Sequence, residues 1–472
     1  MKSNNWTVLY SLFLMFTLYL PVNGNAQGDG SEKSVGNWSG TLDVQGTKLT
    51  LVFKITRSDN SSLTATMDVP QQGASNLPVS KTFVRNDSLY LMVDMIQGSF
   101  RGTFKNGQSV EGTWNQRGIS LPLTLTRSEG GVEIKRPQTP EKPYPYKEES
   151  VVYENKTDGI KLAGTLTIPA GSGKFPAVVL ITGSGAQDRD ETIFGHKPFL
   201  VLADFLTRNG IAVLRSDDRG VGGSGGSMRE MTSEDLAGDA LAGVEFLKNQ
   251  SQIDVNHIGL IGHSEGGIIA PIAANRSNDV AFIVLWAGMG IPGDQILYKQ
   301  AELINKAEGV PEAQIEQNHR LQEAIFNVIR QEKDSLKTLD SLRIVLSGGK
   351  YSQLNASQQK AIDQQAEGVN SPWFRYFLNY DPYPALTKVK CPVLAMIGEK
   401  DLQVPAKENL AAIKKALTEG GNKNFRVLEM KNLNHLFQNC TTGSVSEYGK
   451  IEETIAPAAM DTIKNWILSV VQ

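Results

Sequence analysis

Cysteine is nearly absent from this chain, with only Cys391 and Cys440 among 472 residues. So few thiols exclude a disulfide-stapled scaffold or a cysteine-rich metal module. Cys391 opens an apolar run expected to be a strand, and Cys440 follows a loop at that strand's opposite end. A strand rises about 3.3 Å per residue, so the pair exceeds the ~7 Å Cα reach of a disulfide and two free thiols are expected. Excess charge is also missing: 47 basic against 50 acidic residues gives a formal net charge of -3. That balance removes the electrostatic case for a nucleic acid or an anionic membrane and leaves a small organic molecule as the default partner. Beyond the N-terminus no apolar run is long enough to span a bilayer. Histidine is scarce too, so any general base must be one of 5 residues.

What is present begins with Lys2, an apolar run from Trp6 to Val22 broken only at Thr7, Ser11 and Thr17, and the small-residue end Gly24-Asn25-Ala26. These are the parts of a secretory signal over residues 1–26, with a cut after Ala26. An exported protein, periplasmic or secreted, is expected. An uncleaved anchor is the alternative, for which the run is slightly short. The absence of cysteine near the cut argues against a lipid anchor. The length calls for two or three units.

Residues 35–128 alternate with period two, as in Leu49, Leu51, Phe53 and Ile55 or Leu89, Leu91, Val93 and Met95. This predicts a small all-β domain. Glycine-aromatic pieces recur around Trp38, Phe100 and Trp114, as at the corners of a curved sheet or barrel. Such a barrel either binds a ligand or is filled by its own aromatics. Residues 129–150 form a proline-rich linker, predicted to be an extended spacer. From 151 to 472 the texture changes to near-continuous apolar runs, among them Phe175 to Ile181, His257 to Ile261, Val280 to Trp286, Pro392 to Ile397 and Phe425 to Met430, separated by helical stretches. The expected fold class is α/β, a mostly parallel sheet covered on both faces, with chemistry at the carboxyl ends of its strands. Residues 292–383 break the rhythm and read as an inserted helical cap. Its aromatics Trp373, Phe374 and Phe377 are candidates for the substrate pocket, or for cap core.

The run Gly262-His263-Ser264-Glu265-Gly266-Gly267 lies between a strand and a helix-prone stretch. G-x-S-x-G in that setting forms a sharp turn that lifts the serine hydroxyl above the sheet, so Ser264 is the candidate nucleophile. A serine needs a base. His257 lies at the wrong end of its strand, His263 adjoins the serine awkwardly and His319 is in the cap. His196, near a loop at the active edge, is a candidate substrate contact. His435 follows the last apolar strand and is the candidate base. Asp401, in the turn after Met396-Ile397-Gly398, is the candidate orienting acid, with Glu399 as its rival. For the oxyanion, donors are expected from the backbone N–H of Glu265 and of Ser184, with Gly185 as the near alternative. The loop Thr182 to Asp190 lacks the spacing of a phosphate loop. The glycine-rich stretch Arg215 to Gly226, which could be mistaken for a nucleotide loop, is expected to be a structural tie in which Asp and Arg fix the loop by charge-assisted hydrogen bonds.

These motifs, in the order Asp218-Arg219-Gly220-x-Gly222-x-Ser224, Gly262 to Gly267, Gly398-x-x-Asp401-x-x-Val404-Pro405 and Asn434-His435, resemble the α/β-hydrolase superfamily over residues 151–472. The combination looks like bacterial carboxylesterases with a small β-rich domain ahead of the catalytic one, and is similar to the serine-aminopeptidase-like branch. The resemblance implies a Ser264, Asp401, His435 triad, no metal or organic cofactor, and short-chain or small acyl esters as substrates. Thr182-Gly183-Ser184-Gly185 departs from the His-Gly-Gly-Gly loop of lipases, which puts long-chain lipase activity in doubt. A serine peptidase or amidase, acyl transfer, and a non-catalytic envelope-binding protein are the rival readings.

Overall fold

A computed structural model describes residues 32–44, 47–58, 62–69, 74–105, 107–116, 119–128 and 135–472. The expected export signal at 1–26 lies outside the described residues. Nine strands make the first sheet: β1 (Gly36–Val44), β2 (Thr47–Arg57), β3 (Leu63–Val69), β4 (Ala74–Val79), β5 (Lys81–Arg85), β6 (Ser88–Val93), β7 (Gly98–Phe104), β8 (Ser109–Gln116) and β9 (Ile119–Ser128). Their order is β4-β3-β2-β1-β9-β8-β7-β6-β5, antiparallel throughout. The sheet curls until β3 approaches β5 and β4 approaches β6. Alternation turns Trp38, Phe53, Met67, Phe100 and Trp114 inward, none more than 2% exposed. Among the described residues these side chains pack into the interior of the sheet.

The second sheet holds β10 (Lys147–Asn155), β11 (Ile160–Ile168), β12 (Phe175–Ile181), β13 (Ala212–Ser216), β14 (Ile253–His263), β15 (Phe282–Trp286), β16 (Val393–Gly398) and β17 (Phe425–Met430), in the order β10-β11-β13-β12-β14-β15-β16-β17. It is mixed. The pairs β10·β11 and β11·β13 are antiparallel, and every pair from β13 to β17 is parallel. Buried strands such as Phe282–Trp286 and Val393–Gly398 expose none of their residues, because helices cover both faces. Those helices are α1 (Pro198–Arg208), α2 (Ser233–Lys248) and α3 (Gly266–Arg276), with α10 (Ala406–Glu419), α11 (Val445–Tyr448) and α12 (Pro457–Val470) closing the chain.

Between β15 and β16 lie α4 (Gly293–Ala307), α5 (Glu312–Gln331), α6 (Ser335–Ser347), α7 (Ala356–Val369), α8 (Pro372–Asn379) and α9 (Tyr383–Leu386). This helical insertion runs three residues past the expected end at 383. Local signals define its members: Asp334 accepts from the N–H groups of Leu336 and Lys337, Gly348 closes α6 at φ 59°, and Ser371 accepts from Phe374 N–H ahead of Pro372. No helix among the described residues is long and apolar enough to cross a membrane.

The linker expectation needs two corrections. β10 begins at Lys147, four residues before the expected boundary, since no proline follows Pro145 to stop the strand. The described part of the linker is also not a free spacer. Arg136 donates to the carbonyls of Ile451 (2.7 Å), Phe194 (2.8 Å) and Gly449 (2.9 Å), and Gln138 donates to Ile455 O (2.7 Å) while accepting from the N–H of Thr454 and Ile455. Polar side chains that find several backbone partners at once override the extended preference of the prolines around them.

Candidate active site

Ser264 stands where β14 gives way to α3. Its φ is 53°, in the left-handed region that side chains disfavour. Two contacts hold it there: its N–H donates to Trp286 O (2.8 Å) and its carbonyl accepts from Gly267 N–H (2.9 Å). Glycine is required on both sides. A Cβ on Gly262 would lie 2.0 Å from Gly266 O, and one on Gly266 would lie 2.3 Å from Ile181 O.

Asp401 and His435 arrive from the carboxyl ends of β16 and β17. Asp401 Oδ1 accepts from the N–H groups of Gln403 and Val404, each at 2.8 Å, and Oδ2 faces His435 Nδ1 at 2.8 Å. Both side chains are buried, at 3% and 4% exposure. An ionised carboxylate only accepts, so the ring proton sits on Nδ1 and Nε2 keeps its lone pair. That tautomer is the one a general base needs. The rival Glu399 is exposed and accepts from Asn432 N–H (2.9 Å) instead. The His435 ring lies 5.0 Å from that of His263, the residue preceding Ser264.

Among the described residues, the backbone N–H groups of Ser184, Gly185 and Glu265 have no acceptor, whereas Gly183 N–H is taken by Glu191 Oε1 (2.7 Å). Free amides on both sides of Ser264 are what a developing oxyanion requires. The loop that presents Ser184 and Gly185 is fixed from below. Asp218 accepts from Thr182 Oγ1 and Gln187 N–H, both at 2.8 Å, and Asp217 takes Arg189 in a bidentate grip at 2.9 and 2.6 Å. Burial pushes Asp218 well above the usual carboxylate range. Arg219 pairs with Asp239 and Asp158. The Arg215 to Gly226 stretch is thus the structural tie its sequence suggested.

The pocket candidates separate. Trp373 Nε1–H donates to Glu265 Oε1 (2.8 Å), which also accepts from Ser233 Oγ (2.7 Å), and the indole stacks on Phe377 at 5.2 Å. The insertion is thereby tied to the residue beside Ser264. Burial raises the Glu265 pKa against the hydrogen bonds from Ser233, Trp373 and Ser184. Phe374 packs on Phe326 inside the insertion's own core. His196 is a correction: it is 1% exposed, with Nδ1 against Thr454 Oγ1 (2.9 Å) and Nε2 against Tyr448 O (3.0 Å). Both ring nitrogens are occupied, so it braces the Tyr448–Thr454 segment and offers nothing to a substrate. Burial pushes its pKa down to about 4.

Two residues at the site escaped sequence reasoning. Glu191, at φ 51° and 3% exposure, accepts from His263 Nδ1 (2.9 Å) as well as from Gly183. His263, set aside for its position, is fully enclosed and donates from Nε2 to His435 O (3.1 Å). Burial opposes its protonation, but Glu191 and the His435 carbonyl outweigh it and hold the pKa above the ordinary value. The acidic run Asp188-Arg189-Asp190-Glu191 was the available signal, though nothing in it singles out Glu191. Among the described residues no group of three or more His, Cys, Asp or Glu is disposed to hold a metal ion. Cys391 and Cys440 are both free.

A family described as X-Pro dipeptidyl-peptidase (S15 family) matches residues 158–436, a stretch that contains Ser264, Asp401 and His435. Esterase EstD of Thermotoga maritima is 29% identical over 275 residues, covering 58% of this chain and 58% of that protein, so the chain spans rather more than half of that relative's length. Thiohydrolase aneE of Aspergillus aculeatus is 35% identical over 130 residues, 27% of this chain and 37% of that one. Among solved structures, the Pyrococcus furiosus esterase PF2001 covers 73% of this chain and 100% of its own at 15% identity, with a TM-score of 0.44.

Proposed function

The chain belongs to the S15 family, and from that premise we propose that it is a serine carboxylesterase of the α/β-hydrolase type acting on short-chain or otherwise small acyl esters. The observation that carries this reading is the 2.8 Å contact between Asp401 and the Nδ1 of His435, together with a serine held at φ 53° next to His263, whose ring lies 5.0 Å from that of His435. Ser264 Oγ attacks the ester carbonyl while His435 Nε2 takes its proton. The oxyanion rests on the Glu265 and Ser184 amides, and His435 returns the proton to the departing alcohol. Water then opens the acyl-enzyme by the same route. Trp373, anchored on Glu265, forms part of the acyl wall, and the helical insertion limits substrate size.

Hydrolysis of p-nitrophenyl esters of increasing acyl length tests this, with Ser264→Ala alongside. A short-chain optimum, and turnover lower by several orders of magnitude in the variant, is the expected result. The family description favours a second reading, a peptidase using the same three residues on an amide. Dipeptidyl-proline p-nitroanilides cleaved faster than matched esters would replace the first reading with this one.

A further inference from the structure

Glu191 and His263 form or break no bond in the steps above, yet they are an enclosed ionisable pair adjoining Ser264, at 3% and 5% exposure. Both nitrogens of the His263 ring face acceptors: Nδ1 is 2.9 Å from Glu191 Oε1 and Nε2 is 3.1 Å from the His435 carbonyl. A neutral imidazole has one N–H and cannot serve both. Either the ring is an imidazolium or the second proton sits on Glu191. Glu191 Oε1 already accepts Gly183 N–H at 2.7 Å, and Oε2 is buried with no partner among the described residues. A proton on Oε2 would be stranded; one on Oε1, donated to Nδ1, satisfies the same contacts as imidazolium against carboxylate, and the raised pKa of His263 favours the imidazolium.

This one pair joins three loops. Gly183 adjoins the Ser184 amide, His263 adjoins the serine, and the His435 carbonyl belongs to the base. A buried ion pair carries a large desolvation penalty and is weak evidence for stability, which directs attention to the geometry it enforces.

We propose that Glu191 and His263 are positioning residues that share one extra proton and clasp the oxyanion loop, the nucleophile turn and the base loop in register, so that turnover fails when His263 gives up its second proton. The proposal rests on the serine-hydrolase reading. The charged and ring groups around the clasp are Asp401 and the His435 ring (5.0 Å) on the base side, the Trp286 ring (5.0 Å) from β15, and Asp218, which lies within electrostatic reach of Glu191 and Glu265. The His263 pKa is held above 6.5, so the clasp is intact at lower pH and is lost as pH rises through that raised value. Without the Glu191 charge, the loss moves to lower pH.

Two measurements on the full chain test the clasp. Imidazole 15N spectra of the wild type, assigned by the signals lost in His263→Gln, are expected to show both His263 nitrogens protonated at pH values where turnover is full and one deprotonated as the alkaline limb of activity is crossed. In parallel, Glu191→Gln is expected to lower kcat on the order of 10- to 100-fold, the scale of a small misplacement of reacting groups, with KM changed less than about twofold and the alkaline limb displaced downward in pH. A His263 ring that is singly protonated at pH values where turnover is full overturns the clasp even if Glu191→Gln fails to fold. A folded Glu191→Gln with unaltered kcat and pH profile overturns it as well. Turnover that survives Ser264→Ala would instead remove the serine-hydrolase reading itself.

Discussion

Acidification should loosen the catalytic unit through His196, by an amount the structure sets. The buried ring is held neutral between Thr454 and Tyr448, with its pKa pushed down to about 4 from 6.5. Burial is the main cause; the Tyr448 hydrogen bond opposes it, and nearby Arg136 adds to it. The unfolded chain binds a proton here below about pH 6.5, whereas the folded chain does so only near 4. The stabilisation is therefore complete above about pH 6.5, declines as pH falls toward 4, and is gone below it. At ~1.4 kcal/mol per tenfold change in proton affinity, the gap is worth about 3 kcal/mol. Urea unfolding of the wild type and of His196→Gln across pH 7 to 4 isolates this contribution, because the other titrating groups are common to both. The stability difference between them should shrink by about 3 kcal/mol over that range. A difference that stays constant with pH refutes the assignment of a neutral, braced histidine.

Asp401→Asn should lower kcat by about 10³- to 10⁴-fold with an unchanged circular dichroism spectrum, since the wrong tautomer of His435 is then favoured. Gly266→Ala puts a Cβ 2.3 Å from Ile181 O, so the nucleophile turn must move, and labelling of Ser264 by a fluorophosphonate should be abolished. Arg136→Ala removes three charge-assisted hydrogen bonds to Phe194, Gly449 and Ile451 and should lower the thermal midpoint of the catalytic unit by several degrees, as read by calorimetry.

The parts of this architecture that were legible in the sequence are those with a short-range signal. Alternation announced the strands around Phe53 and Leu91, and the strand, turn and helix around Ser264 announced a serine in a sharp turn between glycines. Long-range pairing left weaker traces. The antiparallel β10 and β11 at the sheet edge were missed because β10 is mostly exposed or half-buried, with charged residues such as Lys147, Glu148 and Glu149 and no long apolar run to mark it, and strand direction leaves no local trace in sequence. His196 was misread because proximity in sequence to an active loop says nothing about which way a ring points, and its partners Tyr448 and Thr454 lie some 250 positions away. Glu191 was invisible for the same reason: His263 and Gly183 meet it only in three dimensions. Arg136 and Gln138 looked like linker because their partners are backbone carbonyls and amides, which every sequence contains.

The placement of the helical insertion has a consequence for how such a chain can diversify. β15 and β16 are parallel hydrogen-bonded neighbours, pairing Ile283 with Val393 and Trp286 with Met396, so residues 287–392 leave at the carboxyl end of one strand and return at the amino end of the next, a step of roughly 11 Å from ~4.8 Å across and ~3.3 Å per residue along. An excursion anchored on two adjacent strands can lengthen, shorten or be exchanged outside its Trp373 contact with Glu265 without shifting Ser264, Asp401 or His435. The turn from β17 to His435 has no such freedom, since it must carry the ring back across the sheet toward β14, and one added residue would move it. On the proposed serine-hydrolase reading, selectivity is modular, while the residues assigned to catalysis sit on connections whose length is fixed.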